Sequence, residues 1–535
     1  MAVMPTGLNS GTEDFQLNKS FYEGLVADLH QRRARAHAGG PEKARQRHRD
    51  RGQLLPRDRI KLLLDPGSPF LELGQLAGEG LYDGASPSGS MITGIGMVSG
   101  RPCMLIVNDA TVKGGSYFPI TCKNHVRAQT IARNHRLPCI TMVQSGGAFL
   151  PEQAGIFPDE GQFGSIFCNQ VEMSSEGIVQ IAIVMGSSTA GGAYIPALCD
   201  EAVIVRNKGF MYLGGPQLVH AATNEVIGHE ELGGGDMHSR TSGVTDHLAD
   251  SDEHALFIVR DIVKHTPAPG AQRWSVTAPL APRYPVEEIY GIVSRDSKYP
   301  TDNREVVARL IDDSDLEEFK PLYGDTLICG MARIHGFRVG ILANQGVMFS
   351  ESAKKGAHFI DMCCKRDIPL LFIPDVPGFM VGGAVERGGI AKDGAKFMTA
   401  MISAKVPKYT LITGASYGAG YLAMCGRPYK PTAMLAWPSA HAAIMGPDQV
   451  ANTLAQVRAD VLKRDGKEWS AEEEEEFKAP LRKSFKDFSS AYNFAANLWY
   501  DAVIEPTETR QVMALLLDLA GRMPAVKTQF GVFRH

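Results

Sequence analysis

A chain of 535 residues with 44% hydrophobic and 21% charged residues has material for more than one buried core. A net charge of −4 and a pI of about 6.4 exclude a general attraction to nucleic acid. No apolar run approaches the roughly eighteen residues a membrane-spanning helix needs. The opening MAVMPTGLNSGTEDF has neither a secretory pattern nor an Arg-rich transit pattern. Nine cysteines without CxxC spacing, several in apolar runs (Cys103, Cys139, Cys329), suit buried reduced thiols and a cytoplasmic location.

Residues 1–60 are polar and helical in pattern. Their basic stretch QRRARAHAGGPEKARQRHRDR (31–51) is either a solvated face or a rim that contacts the phosphates of a nucleotide-like ligand. Strand-like and helical runs then alternate: CMLIVND (103–109), a helix through 121–135, and CITMV (139–143), an α/β pattern. Five prolines between 267 and 285 (Pro267, Pro269, Pro279, Pro282, Pro285) mark a domain boundary. The pattern resumes with VGILAN (339–344), a helix through 352–366, LLFIPD (370–375) and YTLIT (409–413). The acidic run Glu472–Glu476 reads as an exposed helical surface.

The two halves repeat one another. Pro138 and Pro369, each opening an apolar run, stand 231 residues apart, as do Pro216 and Pro447 in LGGPQ and MGPDQ. IAIVMGSSTAGGAY (181–194) parallels YTLITGASYGAGY (409–421): an apolar strand, a glycine-rich turn, then a small-residue helix start. KLLLDPGSPFLEL (61–73) parallels ARLIDDSDLEEF (308–319). Two such elbows point to one reaction handled by two similar sites that face each other.

A strand that ends in glycines opening a helix presents backbone N–H groups at a positive helix end. Glycine lets a ligand approach those amides closely. Oxygen that becomes negative during reaction, as in an enolate, is stabilised there; one preorganised donor is worth roughly 3–4 kcal/mol. The candidates are Gly191 and Gly192 in the first half and Ala419 and Gly420 in the second, with SGGA (145–148) and VPGF (376–379) beside them. No GxSxG accompanies a plausible Asp and His order, and no P-loop or strand-linked GxGxxG occurs. His220, His238, His247 and His441 lack metal-ligand spacing, so no metal site is expected. Backbone donors are left to do the chemistry, with the acid–base group arriving on a cofactor.

The motifs NDATVKGGSYFP (108–119), SGGAFLP (145–151), GSSTAGGAYIPA (186–197), LGGP (213–216), EELGGGDMHSRTSGVTDH (230–247), VPGFMVG (376–382) and GGIAKDGAK (388–396) follow in order. Together they resemble the carboxyltransferase (β) subunit of biotin-dependent acyl-CoA carboxylases, nearest the 3-methylcrotonyl-CoA branch of leucine degradation. The resemblance runs from about residue 20 to the C-terminus. It implies an α/β fold of two tandem crotonase-like domains built from β-β-α superhelical turns, here 1–275 for acyl-CoA and 285–535 for carboxybiotin. It also implies a homo-oligomeric, hexameric core in which one subunit's first half faces another's second half.

By position, Gly191 and Gly192 would hold the thioester enolate oxygen, with Ser145, Gly146, Gly147, Ala148, Phe149, Ala190 and Ala193 around the acyl-CoA. Ala419 and Gly420 would hold the biotin ureido oxygen, with Val376, Pro377, Gly378, Phe379 and Gly418 around it. Carboxybiotin would release carbon dioxide and the resulting anion would take the substrate proton. The chain has no biotinyl-lysine motif and no ATP-grasp glycine loop, so a separate biotin carboxylase/biotin carrier α subunit would supply biotin.

Departures from the family pattern bear on the substrate. Phe149 stands where the methylcrotonyl branch has Asn, and Val376-Pro377-Gly378 resembles the propionyl type. Geranyl-CoA therefore competes with 3-methylcrotonyl-CoA. Two other classes remain: a biotin-independent crotonase-fold decarboxylase or hydratase, for which Glu152, Asp200 or Glu201 would be the carboxylate, and a non-catalytic assembly core that binds no CoA.

Overall fold

The computed structural model describes residues 3–296, 299 and 301–533. They fall into two compact units. One comprises 31–271 with 496–498; the other comprises 1–30, 272–495 and 499–535. The division at Ala271 and Gln272 lies in the proline-rich stretch. Grouping the first thirty residues with the C-terminal half corrects the expected 1–275 domain. The reason is burial: Tyr22 is fully enclosed, stacked on Tyr290 with ring centroids 5.1 Å apart, and shares a hydrogen bond with Ser439. Thr6 Oγ1 and the Gly7 amide both donate to the Glu305 carboxylate at 2.7 Å.

The first unit is built on β1 (Phe70–Leu73), β2 (Met91–Val98), β3 (Arg101–Asn108), β4 (Cys139–Ser145), β5 (Gln180–Thr189), β6 (Glu201–Val205), β7 (Phe210–Tyr212) and β8 (His247–Ala249). Their order is β1-β2-β3-β4-β5-β6-β8, with β7 paired to the end of β5. β2 pairs antiparallel with both β1 and β3, and the remaining pairings are parallel. The near-continuous apolar runs of β3 and β4 follow, because the strands of a parallel sheet covered by helices are buried on both faces. Each fully buried Ile, Leu or Val there contributes about 1.5–3 kcal/mol. The expected helix near 121–135 spans Pro119–His135. Proline stands at its first position, the Thr121 hydroxyl accepts from the Phe118 amide at 3.0 Å, and Arg136 ends it in a left-handed conformation.

The second unit repeats this plan with β9 (Glu317–Glu318), β10 (Leu327–Ile334), β11 (Phe337–Asn344), β12 (Leu370–Ile373), β13 (Lys408–Ile412), β14 (Ala415–Tyr417), β15 (Ala433–Ala436), β16 (His441–Ala443) and β17 (Ala502–Val503). The order β9-β10-β11-β12-β13-β15-β17 matches the first sheet strand for strand. Even the side pairing recurs: Ser187, Ser188 and Thr189 face Phe210, Met211 and Tyr212, as Ala415, Ser416 and Tyr417 face His441, Ala442 and Ala443. The duplication written in the sequence is thus a duplication of fold and of register. No described helix is long and apolar enough to cross a membrane. All nine cysteines are unpaired, and Cys103, Cys139 and Cys329 are buried as their apolar runs predict.

Candidate active site: two glycine cradles

In the first unit a register shift between Val143 and Ser145 carries β5 past β4, so that Ser145 pairs with Ser188. The chain then turns at Ala190, with φ 54° and ψ −122°, into the helix Gly191–Ala197. Holding a non-glycine residue there costs about 1–3 kcal/mol. The Ala190 amide donates to the Tyr212 carbonyl at 3.1 Å, which fixes the turn. The first-turn amides of Gly191 and Gly192 have no intrahelical acceptor. A side chain at 191 would strike the Phe163 ring at 2.5 Å, and one at 192 would press on Ser145 and Ser188 at 3.2–3.3 Å.

Beside this elbow, Tyr117 grips the SGGA loop: its amide donates to the Gly147 carbonyl (2.9 Å) and its carbonyl accepts from Phe149 (2.8 Å). The same clamp stands in the second unit, where the Met348 amide donates to Gly378 (3.0 Å) and its carbonyl accepts from Met380 (2.9 Å). There Val376 pairs with Ser416 as Ser145 pairs with Ser188. Gly418, at φ +54°, takes the place of strained Ala190 and opens the helix Gly418–Ala423 with Ala419 and Gly420. A side chain at 420 would meet Val376 at 2.9 Å and Gly378 at 3.3 Å. Each set of expected residues is therefore brought together within its own unit.

A cavity of about 1190 Å³ lies against the SGGA loop of the first cradle; Gly146, Gln144, Ser187, Arg47, Arg51 and Lys208 are among its lining residues, whereas Gly191 and Gly192 are not. Arg47 and Arg51 come from the basic stretch and have no ion-pair partner among the described residues; Lys113 belongs to the NDATVKGGSYFP motif, while Lys208, an isolated lysine, carries no sequence pattern. Gln144 is held from below: Arg59, fully buried, donates to its Oε1 at 3.0 Å and to Asp252 Oδ2 at 3.1 Å. His48, also lining the cavity, bonds the Leu54 carbonyl at 3.0 Å, and burial lowers its pKa to about 4, so its ring is neutral at pH 7. Tyr212 OH bridges Ser187 Oγ (3.1 Å) and His229 Nδ1 (2.8 Å).

Phe149 does not line that cavity. Its ring stacks on Phe118, centroids 4.4 Å apart, in a cluster with Ala77, Ile120 and Leu498, so packing accounts for it. The carboxylates weighed for a hydratase are not cavity residues either: Asp200 accepts from the Gln180 amide at 2.7 Å and Glu201 from His247 at 2.9 Å. Gly414–Gly418 spells GxSxG, yet Ser416 is fully buried and bonds no histidine, so it is no exposed nucleophile. In the second unit Asp375 accepts from the Ala415 amide at 2.9 Å, and burial raises its pKa. Among the described residues no cluster of His, Cys, Asp or Glu could hold a metal ion.

Duplicated β-β-α scaffolds, each with a glycine-rich turn at the head of a short helix, make this a crotonase-like fold. The chain matches the carboxyl transferase domain model over residues 47–532 and belongs to that family, the carboxyltransferases of biotin-dependent acyl-CoA carboxylases. It is 54% identical over 510 residues to the biotin-dependent 3-methylcrotonyl-coenzyme A carboxylase beta1 subunit of Mycobacterium tuberculosis, covering 95% of this chain and 96% of that one. It is 49% identical over 540 residues to the mitochondrial methylcrotonoyl-CoA carboxylase beta chain of Arabidopsis thaliana, covering 100% and 92%. The crystal structure of the P. aeruginosa geranyl-CoA carboxylase beta subunit superimposes with a TM-score of 0.89 at 37% identity, covering 99% of both chains.

Proposed function

We propose that this carboxyltransferase moves a carboxyl group from carboxybiotin to 3-methylcrotonyl-CoA, giving 3-methylglutaconyl-CoA. The observation that carries the reading is the cavity that joins Gly146, at the first cradle, to a rim holding Arg47, Arg51 and Lys208. Its lining combines the SGGA loop, suited to a thioester, with basic side chains, suited to phosphates, and its volume suits a ligand the size of CoA. Gly191 and Gly192 donate to the thioester oxygen as it gains charge, and the turn at Ala190 holds those amides in place. Gln144, braced by Arg59 and Asp252, walls the cavity beside Gly146.

The second cradle suits a ureido oxygen: Ala419 and Gly420 present amides, and nothing lies within 4 Å of where a side chain on Gly378 would stand. Bound there, carboxybiotin would supply both the carboxyl group and the base. Biotin comes on a separate biotin carboxylase/biotin carrier subunit, and the protein works in the cytoplasm, where its nine thiols stay reduced.

Both cradles carry exposed aliphatic side chains at equivalent positions, Leu150 (71% exposed) and Leu213 (59%) in one, Val381 (80%) and Ile444 (83%) in the other. Such rims favour burial against another copy, the first cradle of one protomer meeting the second cradle of its neighbour in a hexameric core. Geranyl-CoA is the second reading, favoured by the likeness to the geranyl-CoA carboxylase beta subunit. With the purified partner subunit, 3-methylcrotonyl-CoA is expected to be carboxylated at least tenfold more efficiently than geranyl- or propionyl-CoA; a preference for geranyl-CoA would reassign the substrate. Arg51→Glu is expected to raise the acyl-CoA KM about tenfold at low salt, and less at 0.5 M salt, with little change in kcat. A KM independent of Arg51 would remove the phosphates from that rim.

A further inference from the structure

The two cradles share a scaffold but differ in what their strand-end residues do with hydrogen bonds. In the first, both members of the pair Ser145 and Ser188 are fully buried and both hydroxyls are committed to the glycine turns. Ser145 Oγ accepts from the Gly147 amide at 3.1 Å. Ser188 Oγ donates to the Gly192 carbonyl at 2.8 Å. That carbonyl needs it, because the residue four positions on is Pro196, which has no N–H to give.

In the second cradle the pair is Val376 and Ser416. Met424 occupies the place of Pro196, and its amide satisfies the Gly420 carbonyl at 3.0 Å. Ser416 is released from that task; its buried hydroxyl has no partner among the described residues. Val376 has no hydroxyl, so nothing takes the Gly378 amide, which has no acceptor among the described residues. The turn differs to match: φ is +87° at tethered Gly147 and +141° at Gly378.

We infer that the residue at the strand end, serine at 145 and valine at 376, sets which ligand each cradle accepts by taking or leaving one backbone donor. At the first cradle the Gly147 amide is spent on Ser145, which leaves the amides of Gly191 and Gly192 for a single thioester oxygen. At the second cradle the Gly378 amide stays available as an extra donor. It suits a cyclic urea, whose ureido carbonyl oxygen, present in free biotin as in its N-carboxylated form, takes it as a further donor beside those of Ala419 and Gly420. Val376 is then a specificity-determining residue that acts through Gly378. This rests on the assignment of biotin to the second half.

The test compares Val376→Ser with Val376→Ala in the full-length chain, since both lose similar volume and only one gains a hydroxyl. Binding of free biotin and of acyl-CoA is read by titration calorimetry or saturation-transfer NMR, and exchange of the Gly378 amide by hydrogen–deuterium mass spectrometry. Val376→Ser is expected to bind biotin about tenfold more weakly than Val376→Ala, with slower exchange at Gly378 and equal acyl-CoA affinity. Equal biotin affinity in the two variants would overturn the inference and leave the assignment of the halves standing. A loss confined to acyl-CoA would overturn that assignment instead. Should both variants fail to fold, Val376→Thr against the native valine keeps the shape and makes the same comparison.

Discussion

Gly192→Val and Gly420→Val are each expected to reduce carboxyl transfer by roughly 10²–10³-fold, the loss typical of one preorganised oxyanion donor. The two should fail differently. At 192 the new side chain begins 3.2 Å from the Ser145 Cβ and 3.3 Å from the Ser188 hydroxyl, the group that holds the Gly192 carbonyl. Relieving that contact moves the peptide whose amide is proposed to meet the thioester oxygen. At 420 the side chain begins 2.9 Å from Val376, and the shift falls on the VPG turn. Steady-state kinetics on the assembled carboxylase, with acyl-CoA and free-biotin binding measured separately, separates the cases. Gly420→Val should bind acyl-CoA normally and use biotin poorly. Lost acyl-CoA affinity in that variant would exchange the roles of the halves, and near-normal turnover in Gly192→Val would remove the first cradle from the chemistry.

The second large effect is on stability. Asp252→Ala is expected to destabilise the protein by about 3–5 kcal/mol, because it leaves the Arg59 guanidinium buried and uncompensated. Both side chains are about 1% exposed, the Arg59 Nη2 to Asp252 Oδ2 distance is 3.0 Å, and the same oxygen accepts from the Leu54 amide. Burial lowers the pKa of Arg59 and the neighbouring carboxylate opposes that shift, so the cation depends on its partner. Denaturant melting measures the loss. The double variant Arg59→Met, Asp252→Ala should recover part of it, since a pair of apolar groups leaves no buried charge. A single variant as stable as the native chain would refute this account.

The sequence made the duplication plain because small residues cannot be replaced where chains pass closely. The 231-residue spacing of Pro138 and Pro369 recurs in the clamps at Tyr117 and Met348. The glycine elbows were legible for the same reason. Hydrogen bonding between strand ends was not: nothing in SGGA or GSST announces that Ser145 and Ser188 serve the glycines, and nothing in Met424 that it relieves Ser416. Burial of Arg59 with Asp252 was also hidden, since partners 193 residues apart leave no local pattern. Phe149 drew notice as a departure from a motif, but only its stack on Phe118 distinguishes a packing ring from one that touches substrate.

The compact units are not single stretches of chain. Residues 496–498 belong to the unit built from 31–271, where Leu498 lies within the Phe118 cluster, the Ala496 carbonyl accepts from the Gly78 amide at 2.8 Å, and the Asn497 carbonyl accepts from Lys123. Cutting at the proline-rich stretch would therefore strand a three-residue stitch on the wrong fragment. A version of the protein expressed as two fragments would need Ala496–Leu498 appended to the first one to restore that packing.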